Sequence, residues 1–274
     1  MKAERDDKSE KAKEENAPWF SQSLARGLLV IQAFDASGPN LRATEIAKRS
    51  GLSRAATRRF LLTLQSLGYI GCDEDRYYLQ PKVLDLGFAF VASMQIDRVV
   101  QPLLNELSTI TAESCSFAVL DNDQALFVAR ASGPKILQMA VGIGGRVPAH
   151  TTSLGHALLS ALPHDQFEQY MESRKGLIDP ATLTKLRASI EKGRAQGWVE
   201  VKGLLHSAIT GVAAPIRNRS GELIGAVNCA NYGSATMKSM RAHVEPLLEI
   251  TQRIEKSLQA AGHILPTAAG RRPV

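Results

Sequence analysis

Six cations crowd into residues 42–59: Arg42, Lys48, Arg49, Arg54, Arg58 and Arg59, against one acid, Glu45. A planar guanidinium can grip phosphate, or pair with guanine O6 and N7 through two bonds. Ser53 and Ala55, small residues beside these arginines, let a backbone approach a base edge closely. Other reactive types are present without a working arrangement. Ser132 and Lys135 have SxxK spacing, but Gly133-Pro134 between them is incompatible with the helix that chemistry needs. Gly142, Gly144 and Gly145 stop short of a dinucleotide fingerprint. His150 and His156 are six apart, too far round a helix to share a metal. Cys72, Cys115 and Cys229 are isolated, which excludes a disulfide scaffold and a CxxC zinc site and fits a reducing cytosol. No catalytic residue, metal or cofactor is expected, and a metabolite pocket without chemistry is the default.

The basic cluster needs elements to present it. Leu24, Leu28, Ile31 and Phe34 recur at helical spacing over 23–35, and Gly38-Pro39 ends that helix. A short helix over 44–50 closes on Gly51. Ser53 is a natural N-cap for a helix running to about Leu67. Thr57, Phe60, Leu61, Leu64 and Leu67 form its core stripe, so Arg54, Ala55 and Arg58 lie on the opposite face. Two β-prone runs around Asp73-Glu74-Asp75 then make a hairpin. Helix, short helix, tight turn, helix and hairpin are a winged helix-turn-helix, whose second helix enters the major groove of double-stranded DNA. Arg54 and Arg58 would read bases, while Arg42, Lys48, Arg49 and Arg59 would mainly hold phosphates or structure.

The chain has 274 residues, 44% hydrophobic, with net charge +6. That length suggests two domains. No apolar run reaches the roughly 18 residues of a membrane span, and the charged first residues are not a secretory signal. The fold class expected is α+β, with five segments. Residues 1–18 form a disordered tail and 19–80 the winged helix-turn-helix. Residues 81–94 form a linker helix whose Leu86, Phe88 and Phe90 suit a dimer seam. Residues 95–261 form an effector-binding domain and 262–274 a second loose tail. Within 95–261 the pattern gives a helix over 95–111, strands over 114–120, 125–131 and 135–141, and helices over 152–160 and 181–197. A hairpin over 208–217 and 222–231 follows, then one final helix over 236–260. This is a mostly antiparallel sheet flanked by helices.

The runs WFSQSLARGLLVIQAFD, LRATEIAKRSGLSRAATRRFLLTLQSLGYI and YYLQPKVLDLGFAF resemble the N-terminal domain of the IclR family of bacterial transcription factors. ESCSFAVLDNDQALFVARA, GGRVPAHTTSLGHALLS and AAPIRNRSGELIGAVNCANY continue the resemblance through the second domain, so that it covers residues 19–260. SLARGLLVIQAFD and RVPAHTTSLGHALL look most like the branch governing the β-ketoadipate route, the catabolism of protocatechuate, 4-hydroxybenzoate and related aromatic acids.

The resemblance implies a GAF-like effector domain, dimers or dimers of dimers on pseudo-palindromic operators, and a cytoplasmic regulator that is not an enzyme. It implies a pocket for a small organic acid, built from Ser153 and Leu154 at a helix start and from Gly211, Asn228 and Ala230 on two strands. An oxyanion suits the positive end of a helix. Val201, Leu204 and His206 stand where the family commonly has acids, and Gly211 where it has Cys or Ser. Arg146, His150 and His206, near the cradle in sequence, are expected to help hold an anion. The rival readings are a DNA-binding protein whose second domain takes no ligand and an enzyme fused to a DNA-binding module.

Overall fold

The computed structural model describes residues 17–35, 38–93, 95–133, 141–233 and 236–260. The tails expected over 1–18 and 262–274 fall outside these residues, save for 17 and 18, and so does the strand expected over 135–141, except Val141. The chain divides into two compact units, Met1–Ala89 and Phe90–Val274.

In the first unit α1 (Gln22–Gln32) starts where the Ser21 hydroxyl accepts the Leu24 N–H. β1 (Asn40–Arg42) leads into α2 (Ala43–Ser50), which ends on Gly51 at φ 71°, a left-handed stop that suits glycine. The Ser53 hydroxyl accepts the Ala56 N–H at 3.3 Å and starts α3 (Arg54–Ser66). Leu61 and Leu64 of α3 pack with Val30 and Ile46 into one small core, and Thr57 is buried on the same helix. Leu67, expected in that stripe, is instead 52% exposed, because it follows the last helical turn as the C-cap. β2 (Ile70–Asp73) and β3 (Arg76–Leu79) form the hairpin, and β1 joins it in the order β1-β3-β2. That third strand was not expected; three residues are too few for alternation to register. A 3-10 turn (Pro81–Leu84) precedes α4 (Asp85–Ser93).

In the second unit a π-helical turn (Ile96–Val100) feeds α5 (Gln101–Thr111), where one helix was expected. β4 (Ser114–Asp121), β5 (Gln124–Ala131), β6 (Arg146–Pro148), β7 (Val199–Lys202), β8 (Ile209–Arg217) and β9 (Leu223–Tyr232) form one antiparallel sheet. Its order is β6-β5-β4-β9-β8-β7. α6 (Ser153–Ser160), α7 (His164–Arg174) and α8 (Pro180–Gln196) belong to the core on one face, through Leu158, Phe167, Leu186 and Ile190. α5 and α10 (Val244–Ala260) supply Leu104, Leu107, Leu247 and Ile254 to the other.

The single helix expected over 236–260 is two: α9 (Met237–Arg241), capped by Thr236, and α10. Pro246 explains the break. A proline inside a continuous helix would remove a backbone bond, but here it falls in the first turn of α10. β6, β7 and α7 were also unexpected. The strands have three and four residues, and the charged surface of α7 dilutes its helical period.

Candidate functional site

Arg54, Ala55, Arg58 and Arg59 are exposed on α3, with Thr57, Leu61 and Leu64 buried on the reverse. Ser53 is exposed too, but its hydroxyl is engaged as the cap. The expected phosphate holders separate into two kinds. Arg42 Nε lies 2.9 Å from Asp75 in the wing turn, and its N–H donates to Glu45. Arg49 Nη1 lies 3.1 Å from Asp35 and donates to the Ala33 carbonyl, which fastens α2 to the end of α1. Lys48, Arg54, Arg58 and Arg59 have no ion pair among the described residues. The open positive charge therefore sits on α3 and the end of α2.

The second unit holds a cavity with about 610 Å³ of empty space, part of it open to solvent. This is within the range of small-molecule sites. Its floor is the α6 side of the sheet and comes in two cross-strand rows. One row is Arg130 (β5), Ser116 (β4) and Asn228 (β9); the other is Ser114 (β4), Ala230 (β9) and Gly211 (β8). A bulge in β5 builds the first row. Ala118 pairs with Phe127 and Phe117 with Ala129, so Val128 is the extra residue. Its insertion reverses the alternation and brings Phe127 and Arg130, three apart, to the same cavity.

The roof is the start of α6. Thr152 Oγ1 accepts the Gly155 N–H at 3.0 Å. The N–H groups of Ser153 and Leu154 belong to the first turn, which lacks intrahelical acceptors. Asn228 ties roof to floor: its Oδ1 accepts the Ser116 N–H at 3.1 Å, and its Nδ2 donates to Ser153 Oγ at 3.4 Å. Gly211 makes room for that contact, since a Cβ there would lie 2.7 Å from Ser153 Oγ. His156, buried in α6, has Nδ1 2.8 Å from Ser189 Oγ and Nε2 3.0 Å from the His150 carbonyl. Burial pulls its pKa down to about 4, so it is neutral at pH 7 and braces α6 against α8.

Of the residues expected around a ligand, Ser153, Gly211, Asn228 and Ala230 line the cavity. The Leu154 side chain is in the core, which leaves only its N–H at the helix start. Three expectations need correction. Arg146 does not line the cavity; its Nε and Nη2 each lie 2.9 Å from Asp121 Oδ2, because β6 sets it beside the β4–β5 turn. His150 is outside the lining as well; burial, then the nearby charge of Arg174, lowers its pKa. His206 leans on the Tyr232 ring at 5.3 Å, and its Nδ1 accepts the Ala208 N–H. The arginine that does line the cavity is Arg130, which sequence reasoning missed. A charge inside the apolar run ALFVARA was the available signal, since a buried charge demands a partner.

Residues 23–74 match the family model of the IclR helix-turn-helix domain, and residues 88–256 that of the bacterial transcriptional regulator IclR C-terminal domain. The chain is 36% identical over 245 residues to the Pca regulon regulatory protein of Pseudomonas putida, covering 86% of this chain and 83% of that one. It is 32% identical over 220 residues to the p-hydroxybenzoate hydroxylase transcriptional activator of Acinetobacter baylyi, covering 77% and 81%. A solved transcriptional regulator from Rhodococcus sp. RHA1 superposes with TM-score 0.76 at 33% identity, covering 88% of this chain and 100% of that one. An IclR homolog from Microbacterium hydrocarbonoxydans, solved with 4-hydroxybenzoate, shares the fold with TM-score 0.77 at 22% identity, covering 87% and 100%.

Proposed function

Because this chain belongs to the IclR family of bacterial transcriptional regulators, we propose that it controls an operon for aromatic-acid catabolism by binding operator DNA in response to a small organic acid. The observation that carries this reading is the pairing of two features in one chain. A capped helix presents Arg54 and Arg58 with no ion pair among the described residues, and Thr152 and Ser153 at the start of α6 line a cavity. Arg54, Ala55 and Arg58 face bases; Lys48 and Arg59 hold phosphates, with Arg42 at the wing. The effector's carboxylate rests on the Ser153 and Leu154 amides, with a polar end near Asn228. The names of the two curated relatives support the aromatic-acid setting.

The protein acts in the cytoplasm as a dimer or dimer of dimers on a pseudo-palindromic site. It binds its effector without turning it over. Among the described residues no helix is long and apolar enough to cross a membrane. Leu86, Phe88 and Phe90 of α4 are 55%, 66% and 37% exposed, an apolar surface that suits a seam between copies. The test is a mobility-shift titration of the purified chain on its own upstream DNA, with and without small organic acids. The expected result is specific binding that an acid shifts by about 1–3 kcal/mol, reciprocated in the acid's own affinity. Equal affinity for unrelated DNA would overturn the reading.

A further inference from the structure

Lys82, just past the wing, belongs to neither the basic face of α3 nor the cavity. It is exposed and has no ion pair among the described residues. Its Nζ instead donates to the Leu67 carbonyl at 2.9 Å and lies 5.1 Å from the centre of the Tyr69 ring, a favourable seat for an ammonium. Leu67 is the C-cap of α3. The lysine stem crosses the turn that ends the helix, since a Cβ at Gly68 would lie 3.7 Å from Lys82 Cδ.

The final carbonyls of a helix lack intrahelical donors and carry the negative end of its dipole, so a cation suits them. Others at this end are served by adjacent backbone. The Tyr69 N–H donates to the Leu64 carbonyl, and the Gly68 N–H to that of Gln65. Leu67 is served by a side chain fifteen residues on, from the 3-10 turn that leads into α4.

We propose that Lys82 is a positioning residue for DNA reading, through which the linker turn sets the tilt of α3. This inference rests on the proposal that α3 reads operator bases. The helix has 13 residues, about 20 Å of rod. Arg54 and Arg58 stand toward one end and Leu67 closes the other, while Thr57, Leu61 and Leu64 bury the stretch between. A rod that pivots about a packed middle moves both ends, so a tie at Leu67 governs where Arg54 meets a base edge. Bidentate base contacts tolerate little displacement, whereas phosphate contacts only fix the general register. α4 begins at Asp85, three residues after Lys82, so a shift of that helix draws on the same tie. The neighbouring tie, from the Gln80 N–H to the Tyr69 carbonyl at 2.8 Å, is backbone and survives a change at position 82.

The experiment compares the original chain with Lys82→Met and Lys82→Arg, on its own upstream DNA and on a random duplex of equal length, across a salt series. Methionine keeps an alkyl stem over Gly68 and Tyr69 but removes the charge and the donors, and arginine keeps both. Lys82→Met is expected to bind upstream DNA about fivefold more weakly, the worth of one hydrogen bond of about 1 kcal/mol. Its affinity for the random duplex should stay within about twofold, which also shows that it is folded, and its salt slope should not change. Lys82→Arg should stay within about twofold of the original on both duplexes. Equal loss on both overturns the inference, and a slope shallower by about one would then identify Lys82 as a phosphate contact. Unchanged binding of Lys82→Met to upstream DNA, or a loss that Lys82→Arg shares, overturns it as well. In those cases a preference of the original chain for upstream DNA leaves the proposed function standing. If the original chain has no such preference, both readings fall.

Discussion

Arg54 and Arg49 are both arginines of the basic cluster, yet their surroundings assign them different work. Arg54 is exposed with no ion pair among the described residues, so Arg54→Ala should weaken specific operator binding by about 1–3 kcal/mol and relax preference at one base pair per half-site. Equal loss on random DNA in a competition assay would remove it from base reading. Arg49→Ala should mainly lower the melting temperature, because it frees the ties to Asp35 and the Ala33 carbonyl. His156 gives a pH signature. The unfolded histidine protonates near 6.5 but the folded one only near about 4, so its contribution is full above pH 6.5 and is lost as pH falls toward 4. Denaturant melts should show up to about 3 kcal/mol of loss across that window, with a flatter profile in His156→Gln. At this scale the exposed face of α3 was legible, because Arg54 and Arg58 follow helix periodicity with nothing intervening. Arg146 was misplaced because its partner, Asp121, is 25 residues away and meets it only through strand pairing.

Elements carry the rest of the site. Long helices and the β8–β9 hairpin could be read from period and turn chemistry, whereas the β5 bulge could not. One extra residue reverses the facing of everything after it, and no residue type in FVARA announces it. The roof helix is held from two directions, and each can be tested by stability measurements. Thr152→Ala removes the cap on Gly155 and should cost about 1 kcal/mol. Gly155→Ala should cost more, about 3 kcal/mol or above, because the new Cβ would lie 2.0 Å from the Ala149 carbonyl oxygen and backbone cannot swing aside. Unchanged denaturation midpoints in both variants would show that the start of α6 is looser than its packing implies.

For the molecule as a whole, the proposed operator symmetry requires paired chains. Phe88→Glu, on the exposed apolar side of α4, should shift sedimentation toward the monomer and weaken operator binding, while a chain that is already monomeric at micromolar concentration would exclude that seam. If a dimer neutralises about eight phosphates, log affinity should fall against log salt with a slope of about −7, and a slope near zero would exclude the charged face of α3 from contact.

The bulge at Val128 also bears on how relatives are compared. Alignment columns assume that equal positions face equal surroundings. A homologue lacking the extra residue would need its gap at 128. If the gap is placed a few residues later, the column holding Arg130 is filled by a residue that faces the opposite core. A substitution table drawn from such columns would describe the cavity floor with residues from the wrong side of the sheet. Aligning by strand register, with Ser116 and Asn228 as fixed points, avoids that error.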